Sequence, residues 1–267
     1  MDKIIMLGTG NGGTINLYNT CFIVQNDNGN FLVDTGGSIE IIKRLNEVGI
    51  DFKKIHNIFI SHSHTDHILG LIWLFKKIGS SIMSGIEFEP INIYCNDVVY
   101  EAIKEVSRCT LPGKIIDLVN NIVNYIILND GDKYNINGID YNFFDVKAKG
   151  TKQFGFECML NSKRLAFLGD ETLNPILYDR FREYDYVMHE VFCLDSEEEK
   201  YHELLKTHCS TKTVSEVMNN LDIKNLILYH TEESHGDRRK ELYTKEAKEY
   251  FNGNVIVPDD LEVIDIN

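Results

Sequence analysis

A chain of 267 residues, 43% hydrophobic and 25% charged, has the make-up of a globular domain. Its formal charge of −14, from 27 basic and 41 acidic residues, opposes non-specific adhesion to nucleic acid or anionic lipid. The longest apolar run, residues 68–75, is too short to cross a bilayer and stops at Lys76-Lys77.

In chain order, residues 3–7 read as a strand, followed by a glycine-rich turn and strands at 20–25 and 30–34. Ser38 is placed to cap a helix running to about 48, with Glu40 in its first turn and Gly49 as its stop. Residues 58–61 form a strand that feeds a histidine-rich loop, and apolar positions 68, 71, 72, 74, 75 and 78 then recur at helical spacing. A strand at 91–95 and a helix at 97–106 follow. Residues 132–148 read as a hairpin turning at Asn137-Gly138, and 154–160 with 164–168 as a second hairpin around 161–163. The last third alternates: strand 186–189, helix 211–221, strand 225–230, helix near 238–251 and a strand near 261–264. With no linker or repeat, the expectation is one domain over 1–267 with two β-rich layers covered by helices, an α/β sandwich. Six cysteines without a CxxC pair read as reduced thiols. Met1-Asp2-Lys3 leads straight into a strand rather than a leader, so a cytoplasmic location is expected.

The chemistry concentrates in His62-Ser63-His64-Thr65-Asp66-His67, directly after a strand. Imidazole and carboxylate are ligands for zinc, manganese or iron. Side chains two apart on an extended segment point the same way, which pairs His62 with His64. Asp66 and His67 fall where the chain turns into a helix and can face a second ion. Two further strands end in suitable groups, Asp170 after FLG and His230 after LILY. Taken singly, Asp170 is an ordinary turn residue and His230 an ordinary histidine. Their placement at strand ends, in this order after the hexad, gives them weight.

That order resembles the metallo-β-lactamase superfamily, through HSHTDH at 62–67, FLGD at 167–170, LILYH at 226–230 and LVDTG at 32–36. The resemblance implies an αββα sandwich of two mixed sheets flanked by helices and a dinuclear site: His62 and His64 on one ion, Asp66, His67 and His230 on the other, and Asp170 bridging. It also implies a nucleophilic water held between the two ions and Asp34 as a carboxylate orienting an imidazole. Within the superfamily, LGTGNGG at 7–13, His189-Glu190 and His208-Cys209-Ser210-Thr211 are similar to the ribonuclease Z-type branch. There, Glu190 and His208 would protonate the leaving oxygen, with Asp66 as the third catalytic group. The inserted Cys209 leaves the register of His208 ambiguous by one residue. A homodimer is implied by the same analogy.

Two departures stand out. The superfamily supplies a further histidine ligand between the hexad and the bridging Asp, yet this chain has none between His67 and His189. Lys147 falls in that place, so the His62/His64 ion is expected to bind weakly, to use Asp145, or to be replaced by the lysine's charge. Lys147, Lys149 and Lys152 can instead grip a substrate phosphate, or simply form a solvated hairpin end. Second, no Gly/Pro-rich insertion provides a tRNA-binding arm. Together with the acidic charge, this favours a small phosphodiester or nucleotide-like substrate over RNA.

Rival readings are a ribonuclease Z-type tRNA 3′-processing enzyme, a lactone or thioester hydrolase, and a non-catalytic metal-binding module with one defective site. Gly8-x-Gly10-x-x-Gly13 mimics a dinucleotide fingerprint, but residues 14–24 lack the helical period that fingerprint needs.

Overall fold

The computed structural model describes residues 2–267. Its first sheet contains β1 (Lys3–Gly8), β2 (Cys21–Asn26), β3 (Gly29–Val33), β4 (Asn57–Ile60), β5 (Ile91–Cys95) and β6 (Val123–Ile127). Its second contains β7 (Lys133–Ile136), β8 (Ile139–Asp145), β9 (Phe154–Leu160), β10 (Lys163–Phe167), β11 (Tyr186–Glu190), β12 (Asn225–Tyr229) and β13 (Asn254–Ile256). β14 (Val263–Asp265) returns to pair antiparallel with β1, so the orders are β14-β1-β2-β3-β4-β5-β6 and β13-β12-β11-β10-β9-β8-β7. Both sheets are mixed. β3 to β6 run parallel in the first, and β10 to β13 run parallel in the second.

Strand periodicity explains the layering. Ile4 and Met6 of β1 enter the core between the sheets, whereas Ile5 and Leu7 face the helices of the first layer. On β12, Ile227 and Tyr229 point inward while Leu226 and Leu228 face the helices of the second layer. The inter-sheet core is aromatic: the Phe59 ring lies 5.1 Å from Phe143 and 5.9 Å from Phe156. α1 (Glu40–Glu47), α2 (Thr65–Met83), α3 (Asp97–Thr110) and α4 (Gly113–Asn120) cover the first sheet. After the short α5 (Glu198–Tyr201), α6 (Thr211–Asn220) and α7 (Arg239–Tyr250) cover the second. This is the αββα sandwich expected.

Local signals held where they were strong. Asn137 and Gly138 both take positive φ, 51° and 81°, as a two-residue hairpin turn requires. Gly49, at φ 76°, follows the end of α1, but the N-cap of α1 is Ile39 rather than Ser38, whose Oγ accepts from the Glu40 amide 3.2 Å away just outside the helix. Residues 14–24 form no helix, which disposes of the dinucleotide fingerprint. The sequence reading missed α4, β6 and β13. β13 has only three residues, and β6 is a half-exposed edge strand whose apolar alternation is weak. The final strand occupies 263–265 rather than 261–264. Among the described residues no helix is long and apolar enough to cross a membrane, and all six cysteines are unpaired.

Candidate metal centre

β4 is flanked on both sides by parallel neighbours and delivers Ser61 and His62 to the sheet rim. His64, still extended at φ −66° and ψ 153°, precedes α2, whose first turn carries Asp66 and His67. The rings of His62 and His64 meet as the two-residue period requires, with Nε2 of His62 3.0 Å from Nδ1 of His64. From the second sheet, β10, β11 and β12 run parallel and end together, placing Asp170, Glu190 and His230 at the same rim.

Asp170 is the hub. Its Oδ2 lies 3.4 Å from His62 Nε2, 3.3 Å from His67 Nε2 and 3.2 Å from His230 Nε2. Asp66 Oδ2 stands 3.3 Å from His67 Nε2 and 3.5 Å from His230 Nε2. Two donor groups result, Asp66/His67/Asp170/His230 and His62/His64/Asp170, each with ligand atoms within 4.8 Å of one another. Asp34 backs this arrangement from below. It sits at φ 55°, a conformation that Asp tolerates better than most residues. From there its carboxylate accepts the Ser61 amide at 2.8 Å and the Ser61 hydroxyl at 2.7 Å, and meets His67 Nδ1 at 2.9 Å.

The donor chemistry fits a borderline divalent cation. Nε2 of His67 and both ring nitrogens of His230 are buried yet have no hydrogen-bond partner, although carboxylate oxygens stand within 3.5 Å of the two Nε2 atoms. Orphaned polar atoms in a buried cluster are costly unless a ligand satisfies them. Burial opposes charge on Asp170, but the facing His62 and His230 hold its carboxyl well below the usual range. Burial equally opposes a charged His67, and Asp66 and Asp34 outweigh it, keeping its proton well above the ordinary histidine value.

Beside this cluster, Glu190 is fully buried, and its Oε1 accepts the Cys209 amide at 2.9 Å. Its Oε2 lies 3.5 Å from His208 Nδ1, and the His208 ring stacks on His230 at 5.3 Å. The register ambiguity is thereby resolved in favour of His208 facing Glu190. Burial disfavours the charged form of His208, but the Glu190 carboxylate more than offsets it and pushes the pKa up to about 9.

The lysines are placed otherwise than expected. Lys147 Nζ is bound to Asp145 at 3.1 Å and Asp130 at 3.2 Å on the surface, so it does not replace a cation in the cluster. Asp145 is occupied by that pairing, and among the described residues it belongs to no potential metal group. Lys149 Nζ reaches the Lys206 carbonyl and Lys152 Nζ binds Asp97 at 2.6 Å. The three ammonium groups thus go separate ways, and the structure gathers no lysine cluster. The hairpin end is instead held by carboxylates. Its position near the rim comes from Glu171, next to Asp170, which accepts the Lys149 amide at 2.7 Å and the Gly150 amide at 3.0 Å. Likewise Glu233, three residues after His230, binds the amides of Ile15, Asn16 and Leu17 of the glycine-rich loop.

Sequence reasoning also missed Gln153. Its fully buried amide donates from Nε2 to Asp170 Oδ1 at 2.8 Å and accepts the Asp170 amide at 3.1 Å. No pattern in the sequence marks it; in the structure a Cβ added at Gly169 would lie 2.7 Å from the Gln153 side-chain oxygen.

Two seven-stranded sheets between helices, with histidines and carboxylates from both converging at one rim, define a metallo-β-lactamase-fold protein. Within that fold, the chain belongs to the family described as anti-Pycsar protein Apyc1, whose model matches residues 2–241. It is similar to a ribonuclease Z of Methanococcus aeolicus, 41% identical over 93 residues that make up 34% of this chain and 27% of that one. An anti-Pycsar protein Apyc1 of Bacillus phage vB_BsuM-Goe3 is 39% identical over 78 residues, 28% of this chain and 29% of the phage protein. These alignments thus span under a third of each relative's own length. The metallo-β-lactamase fold protein YhfI from Bacillus subtilis superposes with a TM-score of 0.77 at 17% identity, covering 99% of this chain and 100% of that one.

Proposed function

We propose that the protein is a metal-dependent hydrolase working as a phosphodiesterase on a small phosphodiester or nucleotide-like substrate. The observation that carries this reading is the stacking of the His208 ring, faced by Glu190, on His230, beside two donor groups that share Asp170. Zinc, with manganese or iron as alternatives, would be held by His62, His64, Asp66, His67, Asp170 and His230 and would supply Lewis acidity toward a phosphoryl oxygen and a water of lowered pKa. Asp34 holds the His67 ring in one orientation through Nδ1 and leaves Nε2 facing the carboxylates. Charged His208 carries a proton next to the centre, and Glu190 retains that charge. A proton donor there serves an alkoxide leaving group, which favours a phosphodiester over a lactone or thioester.

Small substrates are favoured over transfer RNA. The chain carries a net charge of −14, and β9 and β10 are joined by a tight turn with no arm between them. The ribonuclease Z relatives keep precursor tRNA as the second reading. A hydrolysis panel tests both: a chromogenic phosphodiester, cyclic nucleotides, precursor tRNA, a lactone and a thioester, each with defined metal loading. Turnover of the phosphodiesters supports the proposal. Turnover of the lactone or thioester alone contradicts it.

A further inference from the structure

Resting on the metal-centre reading above, we infer that Gln153 sets an unequal pair of cation sites, one tight and one weak. The two oxygens of Asp170 have different partners. Oδ1 receives the Gln153 side-chain N–H at 2.8 Å, and the Gln153 carbonyl is fixed in turn by the Asp170 amide at 3.1 Å. This two-point clasp lies wholly in the interior, since Gln153 is fully buried and Asp170 nearly so. Backbone on either side locks it further. Gly169, at φ 77°, leaves no room beside the Gln153 side-chain oxygen, and the backbone carbonyl of Gln153 accepts the Val146 amide at 3.1 Å.

Held this way, Oδ1 of Asp170 is engaged by the Gln153 amide, and a cation must compete with that hydrogen bond to use it. Oδ2 alone faces the imidazoles of His62, His67 and His230, at 3.2–3.4 Å. The donor group of Asp66, His67, Asp170 and His230 then offers four ligands, enough for a tetrahedral site. The group of His62, His64 and Asp170 offers three, and its carboxylate oxygen is the same one. Its only private ligands are two imidazoles, of which His64 is exposed. An exposed ligand loses more rotamer freedom on binding and gains less from a low dielectric. The four-ligand group therefore fills first, and the three-ligand group depends on water or substrate oxygens to complete its shell. Gln153 is a positioning residue in this scheme: it acts on the cations only through Asp170.

Calorimetric titration of the metal-depleted full chain with zinc, and separately with manganese, tests the inference without any turnover. The expected result is two classes of binding separated by roughly tenfold or more. His64→Ala should remove the weak class and leave the tight one. Gln153→Leu frees Oδ1 and should tighten the weak class toward the strong one. Cobalt(II) absorption of the unaltered chain gives a readout that needs no variant: the first equivalent should produce the intense tetrahedral band and the second a weaker, higher-coordinate spectrum. Two classes of equal affinity, or a weak class unmoved in folded Gln153→Leu, overturn the inference while leaving the metal centre standing. No binding by either cation would overturn the metal centre, and this inference with it.

Discussion

Nδ1 of His67 lies 2.9 Å from Oδ2 of Asp34, and both side chains are buried. That contact ties the first turn of α2 to the end of β3. It dictates which ring nitrogen of His67 faces Asp66 and Asp170. Because Asp34 also holds the Ser61 amide and hydroxyl, one carboxylate fixes the entry to the histidine hexad as well. Asp34→Asn keeps the volume and tolerates the positive φ, so the fold should survive. Loss of the charge facing His67 should weaken cation affinity by about 10–100-fold. Titration of the metal-depleted variant checks this, and an unchanged affinity would show that Asp34 merely braces the turn.

The Glu190–His208 pair makes a prediction that depends on the leaving group. His208→Ala should lower kcat by roughly 10²–10⁴ on a substrate that departs as an alkoxide. Nitrophenolate leaves without protonation, so hydrolysis of a nitrophenyl diester should fall much less. Rates on both substrates, at equal metal content, give the comparison. Equal losses on the two would assign His208 to metal or substrate binding instead.

A stability prediction concerns Glu157 on β9, far from the rim chemistry. It receives two hydrogen bonds from Arg180, at 3.0 and 3.1 Å, and one from the Tyr184 hydroxyl at 2.7 Å. Burial opposes its ionisation, but Arg180 and Tyr184 outweigh it and hold the carboxyl below its usual range. A carboxyl depressed in the folded state contributes stability above its unfolded pKa of about 4.3, and that contribution is lost as pH falls through the lower folded value. Glu157→Gln should cost roughly 1–2 kcal/mol at pH 7, discounted for partial exposure, and the gap to the parent should close in acid. Denaturant midpoints at pH 7 and at pH 3 measure it. A gap independent of pH would mean that packing, and not charge, is what Glu157 contributes.

What was legible in the sequence follows from how each signal arises. His62 and His64 could be paired because a strand's two-residue period is strict, and Asp170 and His230 stood out because each ends an apolar strand. Two β-rich layers under helices were legible from the succession of strand-like and helix-like stretches, and the αββα arrangement from the motif resemblance; that alternating residues of β1 and β12 sort into different cores shows only in the structure. Gln153, Glu171 and Glu233 were not legible. Their roles lie in hydrogen bonds to backbone or to a carboxylate across 17, 21 and over 200 positions, and no residue-type pattern encodes such contacts. Lys147 misled for a related reason. Its place in the chain suggested the cluster, but at φ 58° the backbone turns, and Asp130 and Asp145 capture the ammonium. Glu190 and His208 came out of motif resemblance, and only the packing of β11 against the segment before α6 showed them facing each other.

The most direct measurement of the central claim is hydrolysis of a chromogenic phosphodiester and of cyclic nucleotides by the metal-depleted chain, before and after reloading with zinc or manganese, beside Asp170→Ala. Removing the hub should eliminate cation binding at both donor groups. The account predicts turnover that appears only on reloading the parent chain and is lost, with the bound metal, in Asp170→Ala. Full turnover by the metal-depleted chain, or by Asp170→Ala, would contradict it.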